Sequence, residues 1–462
     1  MRNFLIGVFI FWLIIVGLII DHEKKTTGPT LIKGKNNSNK TEIVFWHAMG
    51  GPLGIVMNRM IDRYNAGQEN YHVKSVNMGG YDTLAKKVLA SLVANEAPDI
   101  SQNYETLTKK FIRHNKIVCL DDLIEADIAK GGEDIKKDII PVLLENNTFG
   151  GKLYSFPFNK SVPVLYYNKD MFKEVGLDPN APPKTLDELA EFSKTIRNYY
   201  VKLSEEAKTE ADKLRFKEYY GYGCSKANVW GFLNRIMQFG GYIVKRNEED
   251  ILVSGFNEQP AIKALSHLQE MVKTGSAREG QAFDHQNDFI AGKVGIIESS
   301  IISKVFMEED IIFNYGVASL PGVIINDKIN NGVILSGSNI NIFNNGDPKK
   351  IAGAWDFVKW FTSTENGAEW SIGTTYLPVR KSSVDSKTIK DARKADSNLN
   401  AGYEQLGHCN FEPRLTAWFE IRDMLADYIE ESSLKMGNPK DYCDRMKFDV
   451  DSKLRYVTDK DE

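Results

Sequence analysis

The sequence predicts an α/β fold built on a parallel sheet. Two observations carry this. Residues 42–100 alternate short β-rich runs with amphipathic helical stretches, which is the strand–helix–strand–helix–strand layout of a parallel sheet. The composition, 42% hydrophobic and 26% charged, is ordinary for a globular chain and can fill a sizeable core. A length of 462 residues allows two or three domains, or one large two-lobed unit.

The first strand is predicted at Glu42-Ile43-Val44-Phe45-Trp46-His47. A loop with Gly50-Gly51-Pro52 leads into a helix over 53–65, where Val56, Met60, Ile61 and Tyr64 share one face. A strand follows over 71–76. The loop Asn77-Met78-Gly79-Gly80-Tyr81 then feeds a helix over 82–94, with Leu84, Val88 and Leu92 aligned. Ala97-Pro98-Asp99-Ile100 opens the third strand. Two more strands are predicted around 154–158 and 162–167. Thr185 and Glu188 form a capping box at the start of a helix. The charged stretch 197–220 reads as a solvated helix or helical hairpin. Pro260, at a favoured first position, starts a helix that runs to Lys273 and stops at Gly275. Residues 351–361 form an amphipathic helix with Trp355, Val358 and Phe361 inward, and 417–431 is a last strong helix. No internal repeat is present.

Ahead of this body, Met1-Arg2-Asn3 precedes an unbroken apolar run over 4–20, and Asp21, His22, Glu23, Lys24 and Lys25 follow it. A positive start and an apolar stretch make an export signal. The run would span roughly 25 Å as a helix. It has no A-x-A cleavage site and no following Cys, so an uncleaved signal anchor is favoured over a cleaved signal peptide and the lipoprotein route is closed. Either reading puts the body outside the cytoplasm, in the periplasm, and the anchor would tether it to the inner membrane. Residues 21–41, rich in Gly, Lys, Asn and Ser, read as a linker.

A formal net charge of -4 and the lack of any Lys/Arg-rich block argue against nucleic acid as a partner. There is no phosphate-binding P-loop, dinucleotide fingerprint, H-E-x-x-H or G-x-S-x-G. The seven histidines lack metal-ligand spacing. Cys119, Cys224, Cys409 and Cys443 fit no zinc or redox motif and read as buried free thiols. Carboxylates are plentiful, but no pair of them is singled out. No catalytic residue, metal or cofactor is therefore expected.

Several segments follow one another in a familiar order. They include Phe45-Trp46-His47-Ala48-Met49, Gly79-Gly80-Tyr81, Gln102-Asn103-Tyr104-Glu105, and Pro157-Phe158-Asn159-Lys160-Ser161-Val162-Pro163-Val164-Leu165-Tyr166-Tyr167-Asn168. Gly176-Leu177-Asp178-Pro179, Tyr376-Leu377-Pro378 and Glu420-Ile421-Arg422 come later. Together they resemble the family 1 extracellular solute-binding proteins of ABC importers, over about 42–456. Within that family the similarity is greatest to members that bind sn-glycerol 3-phosphate. The resemblance implies a type II periplasmic binding protein: two α/β lobes joined by a hinge, with the ligand in the interlobe cleft. Lobe 1 is expected at 42–156 plus 303–355, and lobe 2 at 157–302 plus 356–462.

The resemblance further implies capture without chemistry. The ligand would be a small phosphorylated polyol, either sn-glycerol 3-phosphate or a glycerophosphodiester such as glycerophosphocholine. A neutral sugar or oligosaccharide is the alternative. The partners would be ABC permease subunits with their ATPase, and the protein itself a monomer. The positions matching the family's ligand contacts are Tyr81, Glu105, Ser161, Trp230, Ser300, Gly337, Tyr376 and Arg422. Their chemistry suits a phosphate ester. Arg422 offers a planar fork of N–H donors. Tyr81, Ser161, Ser300 and Tyr376 add neutral hydroxyl donors, and Gly337 allows close backbone approach. Ionised Glu105 is an acceptor only, so it belongs at the glycerol end. Family members can carry two tryptophans near the middle. Here Trp230 fits one position, and the other falls near Ala227, which leaves space beyond the glycerol.

Overall fold

The computed structural model describes residues 40–457. The expected signal anchor at 4–20 and nearly all of the linker lie outside the described residues. Among those described, no helix is long and apolar enough to cross a membrane.

Two five-stranded sheets organise the body. In the first, the order is Tyr71–Asn77, Thr41–His47, Ile100–Asn103, Ser336–Ile342, Phe156–Ser161. The first three strands run parallel, as the alternation at 42–100 predicts. The last two run antiparallel to their neighbours, so the sheet is mixed rather than parallel. The cause is topological. Ser336–Ile342, which returns from the second sheet, runs against the first three strands, whereas Phe156–Ser161, antiparallel to it, runs in their direction. The second sheet has the order Ala277–Gly280, Tyr220–Ser225, Val294–Ser300, Pro163–Asn168, Tyr315–Ala318. It too mixes parallel and antiparallel pairs.

The predicted helices form with small shifts at their ends. The first begins at Gly51, because Pro52 fits the opening turn, and runs to Gly67. Its buried face includes Val56, Met60, Ile61 and Tyr64. The capping box is present: Thr185 Oγ1 accepts from the Glu188 N–H, and the Glu188 carboxylate accepts from the Thr185 N–H. The stretch 197–220 is a helical hairpin, made of the end of Leu186–Glu206 and the helix Glu210–Lys217. Glu210–Lys217 buries none of its residues, which is why its periodicity is weak. Trp355, Val358 and Phe361 are buried on Pro348–Phe361.

A core of apolar residues surrounds the first sheet and includes Phe45, Phe156, Phe158, Phe357 and Trp370. Another joins the helices Val229–Gln238, Gln259–Lys273, Trp418–Lys435 and Pro439–Leu454. The boundaries expected for the lobes differ from this packing in several places. Residues 157–161, expected with lobe 2, belong to the strand Phe156–Ser161 of the first sheet. Tyr315–Ala318, expected with lobe 1, pairs with Pro163–Asn168 in the second sheet. Thr364–Thr374, expected with lobe 2, packs on Gly51–Gly67 beside the first sheet.

Beneath the second sheet, Arg235 and Glu298 make a two-pronged ion pair at 2.7 and 3.1 Å, with side chains 1% and 6% exposed. Arg235 also reaches His267 Nδ1 at 3.3 Å. Burial, and then the neighbouring Arg235 charge, pull the His267 imidazole down to about 3, so it is neutral. All four cysteines are free. Cys224 and Cys443 are buried as expected, whereas Cys119 and Cys409 are only partly so.

Candidate functional site

The site starts at a chain crossing. Phe156–Ser161 ends the first sheet, and after Val162 the strand Pro163–Asn168 begins the second. Ser336–Ile342 lies beside Phe156–Ser161, with Ser336 opposite Ser161 and Gly337 opposite Lys160. Gly337 has φ +104°, and a Cβ there would stand 1.6 Å from the Asn159 carbonyl oxygen. Only glycine fits this approach.

Against this crossing lies a cavity of about 330 Å³. Tyr104, Glu105 and Thr106 line it together with Leu335, Ser336 and Gly337 of the crossing strand region. Glu412, Trp418, Phe419, Arg422, Asp423 and Asp82 complete the lining. Tyr104 precedes the helix Glu105–Arg113, so Glu105 stands in the positive first turn of that helix. Trp418, Phe419, Arg422 and Asp423 project from the first turns of Trp418–Lys435.

Glu105 receives a long hydrogen bond from Asn146 Nδ2 at 3.5 Å, and its Oε2 is buried with no hydrogen-bond partner among the described residues. Behind it, the ammonium of Lys160 donates to Asn146 Oδ1 at 2.8 Å. Burial pulls Lys160 down to about 8, against the opposing pull of Glu105 and Cys409. Arg414 donates to the carbonyls of Glu145 and Thr148 at 3.0 and 2.8 Å and lies over Phe149. Burial lowers its pKa, and Glu105 and Glu145 oppose that.

Arg422 donates to Glu412 Oε1, and Glu412 Oε2 accepts from Trp418 Nε1 at 2.5 Å. Burial disfavours the guanidinium charge. The Glu412 carboxylate outweighs this and holds Arg422 above the ordinary arginine value. Tyr104 packs between Tyr81 and Phe419, with ring centroids 5.0 and 6.1 Å away. Burial, then the neighbouring Tyr81, push its hydroxyl well above the usual phenol range, so it is a neutral donor.

Of the residues the sequence singled out, Glu105, Gly337 and Arg422 line the cavity together. Tyr81 and Tyr376 meet hydroxyl to hydroxyl at 3.4 Å beside Tyr104, and Gln102 Nε2 donates to Tyr81 Oη at 3.1 Å. Ser161 is buried opposite Ser336. Trp230 Nε1 donates to the Ile334 carbonyl at 3.1 Å, next to Leu335 of the cavity wall. None of the side chains of Tyr81, Tyr376, Ser161 and Trp230 is among the residues that line the cavity, and neither is Ser300. It ends Val294–Ser300 opposite Pro163, and its carbonyl accepts the Tyr166 hydroxyl at 2.9 Å.

Sequence reading missed Asp82, Tyr104, Glu412, Trp418, Phe419, Asp423 and the supporting Lys160. Trp418 and Phe419 stand four and three residues before Arg422, a spacing that puts them on the same helix face and could have found them. Glu412 lies in an irregular segment and leaves no periodic signal. Lys160 sits in a strand buried on both faces, where alternation carries no information.

The comparisons with known proteins agree with this architecture. A family model described as bacterial extracellular solute-binding protein matches residues 59–396. The sn-glycerol-3-phosphate-binding periplasmic protein UgpB of Shigella flexneri is 30% identical over 354 residues, which covers 75% of this chain and 76% of the relative. The protein of the same name from Escherichia coli K12 is 29% identical over the same shares. Among solved structures, UgpB of Mycobacterium tuberculosis in complex with glycerophosphocholine superposes with a TM-score of 0.76 at 21% identity, covering 90% of this chain and 98% of that one. The cyclic alpha-maltosyl-1,6-maltose binding protein of Arthrobacter globiformis superposes with a TM-score of 0.73 at 22% identity, covering 90% and 99%. Two mixed α/β lobes with a cavity at their crossing, and a family match across most of the body, lead to one assignment. The chain belongs to the bacterial extracellular solute-binding protein family, whose members deliver substrates to ABC permease and ATPase subunits and are not enzymes.

Proposed function

We propose that this protein captures a phosphorylated polyol, sn-glycerol 3-phosphate or a glycerophosphodiester, and releases it unaltered to an ABC permease. It would act in the periplasm as a monomer tethered by its N-terminal segment. The observation that carries the reading is the meeting of Arg422, Gly337 and Glu105 around one cavity. The similarity to UgpB relatives supports it.

Each group has a task in this reading. The Arg422 fork donates to phosphate oxygens. The Gly337 backbone approaches without a side chain in the way. Tyr81 and Tyr376 offer hydroxyl donors that add no charge. The unsatisfied Oε2 of Glu105 accepts from a glycerol hydroxyl, which removes a buried acceptor's penalty on binding. Contacts from both lobes would favour a closed state by differential affinity.

Calorimetry with sn-glycerol 3-phosphate and glycerophosphocholine tests this directly. Arg422→Ala should lose about 2–5 kcal/mol of binding, as expected for a truncated phosphate contact. Unchanged affinity in that variant would remove the site. The competing reading, a neutral sugar, rests on the aromatic rings of Tyr104, Trp418 and Phe419 at the cavity. Binding of maltose by the native protein, with no response to either phosphate ester, would favour it.

A further inference from the structure

We propose that Glu412 sets the charge preference of the site: it holds the Arg422 guanidinium as an internal anion that a ligand phosphate must share or displace, and so favours monoanionic phosphodiesters over dianionic phosphate monoesters. This rests on the phosphate-ester reading above.

Three observations carry it. Glu412 is doubly held, through Oε1 by Arg422 and through Oε2 by Trp418 Nε1 at 2.5 Å. It is a fixed wall group rather than a chance surface contact: its side chain is 16% exposed, against 37% for Arg422. Both residues line the cavity, so the carboxylate occupies part of the donor fork that a phosphate needs.

The surrounding charges act in the same direction. Asp82, Glu105, Glu412 and Asp423 line the cavity against Arg422, the one lining cation among the described residues. Four carboxylates and one guanidinium give a formal wall charge of -3. Lys160 and Arg414, both close enough to feel the Glu105 charge, donate only to neutral groups and so keep their own charges, which reduces the formal local charge from -3 to -1 without reversing its sign. The second charge of a phosphate monoester, present above about pH 6, therefore meets net repulsion. A diester carries one negative charge and escapes this. A cationic substituent on the diester would gain further from Asp82 and Asp423.

The test compares two ligands that differ by one charge: sn-glycerol 3-phosphate and its methyl phosphodiester. Isothermal titration uses the full-length native protein and Glu412→Gln. The amide oxygen can still accept from Trp418, and thermal unfolding checks that the variant is folded. Native protein should bind the methyl diester about tenfold more tightly than the monoester, the scale of one partly screened like charge. Glu412→Gln should tighten the monoester by about the same factor and shift the diester much less. A purely structural role for Glu412 would move both affinities together, and that result overturns the proposal. So does a native protein that binds the monoester as tightly as the diester, a measurement that needs no variant. If native protein binds neither ester, the phosphate-ester reading itself fails.

Discussion

Replacing Lys160 with methionine removes a buried ammonium while keeping most of its volume. Lys160 is 1% exposed, and its ammonium donates to Asn146 Oδ1 at 2.8 Å. Burial lowers its pKa from 10.5 to about 8. That difference, 10.5 minus 8, corresponds to about 3 kcal/mol at 1.36 kcal/mol per unit. The sign follows from proton counting. Between pH 8 and 10.5 the unfolded chain keeps the lysine proton and the folded one has lost it, so folding stability rises with pH across this window. Below pH 8 the full cost is present. Lys160→Met carries no such cost, so it should be more stable than the native protein at pH 7.5. The gap should close by about 3 kcal/mol as pH rises to 10.5. Urea unfolding of both proteins, followed by tryptophan fluorescence at a series of pH values, measures the gap directly. Other titrating groups cancel in the difference. Stability curves that stay parallel from pH 7.5 to 10.5 would refute the reasoning.

Glu298→Gln should cost about 3–5 kcal/mol, because it strands the buried Arg235 guanidinium without its counter-charge. Denaturant midpoints check this, and a variant as stable as the native protein would mean that water reaches the pair. Gly337→Ala should cost several kcal/mol or prevent folding, since the added Cβ would lie 1.6 Å from the Asn159 carbonyl oxygen at φ +104°. Circular dichroism melts read this, and an unchanged midpoint would show that the strand can shift aside.

Much of the first sheet was legible in the sequence because its opening strands and helices alternate within sixty residues, and each helix keeps a clean apolar face. The crossing strands were harder. Phe156–Ser161 and Pro163–Asn168 are buried throughout, so neither shows the two-residue alternation that would separate one sheet from the next. Tyr315–Ala318, expected with lobe 1, joins the second sheet through pairing with Pro163–Asn168, a partner far away in the sequence. Within the site, Arg422, Glu105 and Gly337 could be singled out only through family resemblance. Nothing local marks an arginine at the start of a helix as a cavity residue. Glu412 was invisible because its partner lies ten residues away, across a segment with no period. Its role is defined by charge in three dimensions rather than by any pattern along the chain.

The passage from one sheet to the other at Ser161, Val162 and Pro163 leaves no slack. Val162 is fully buried, its carbonyl accepts from the Ile301 N–H at 3.0 Å, and Tyr166 Oη grips the Ser300 and Ile301 carbonyls at 2.9 and 3.0 Å. Any swing of one half against the other must therefore twist a bonded ribbon, as a leaf spring bends, instead of turning on a loose pin. Residues seated on the spring, such as Ser161 and Gly337, would barely move during such a swing. Groups farther out along either half, such as Asp82 and Asp423, would travel the most.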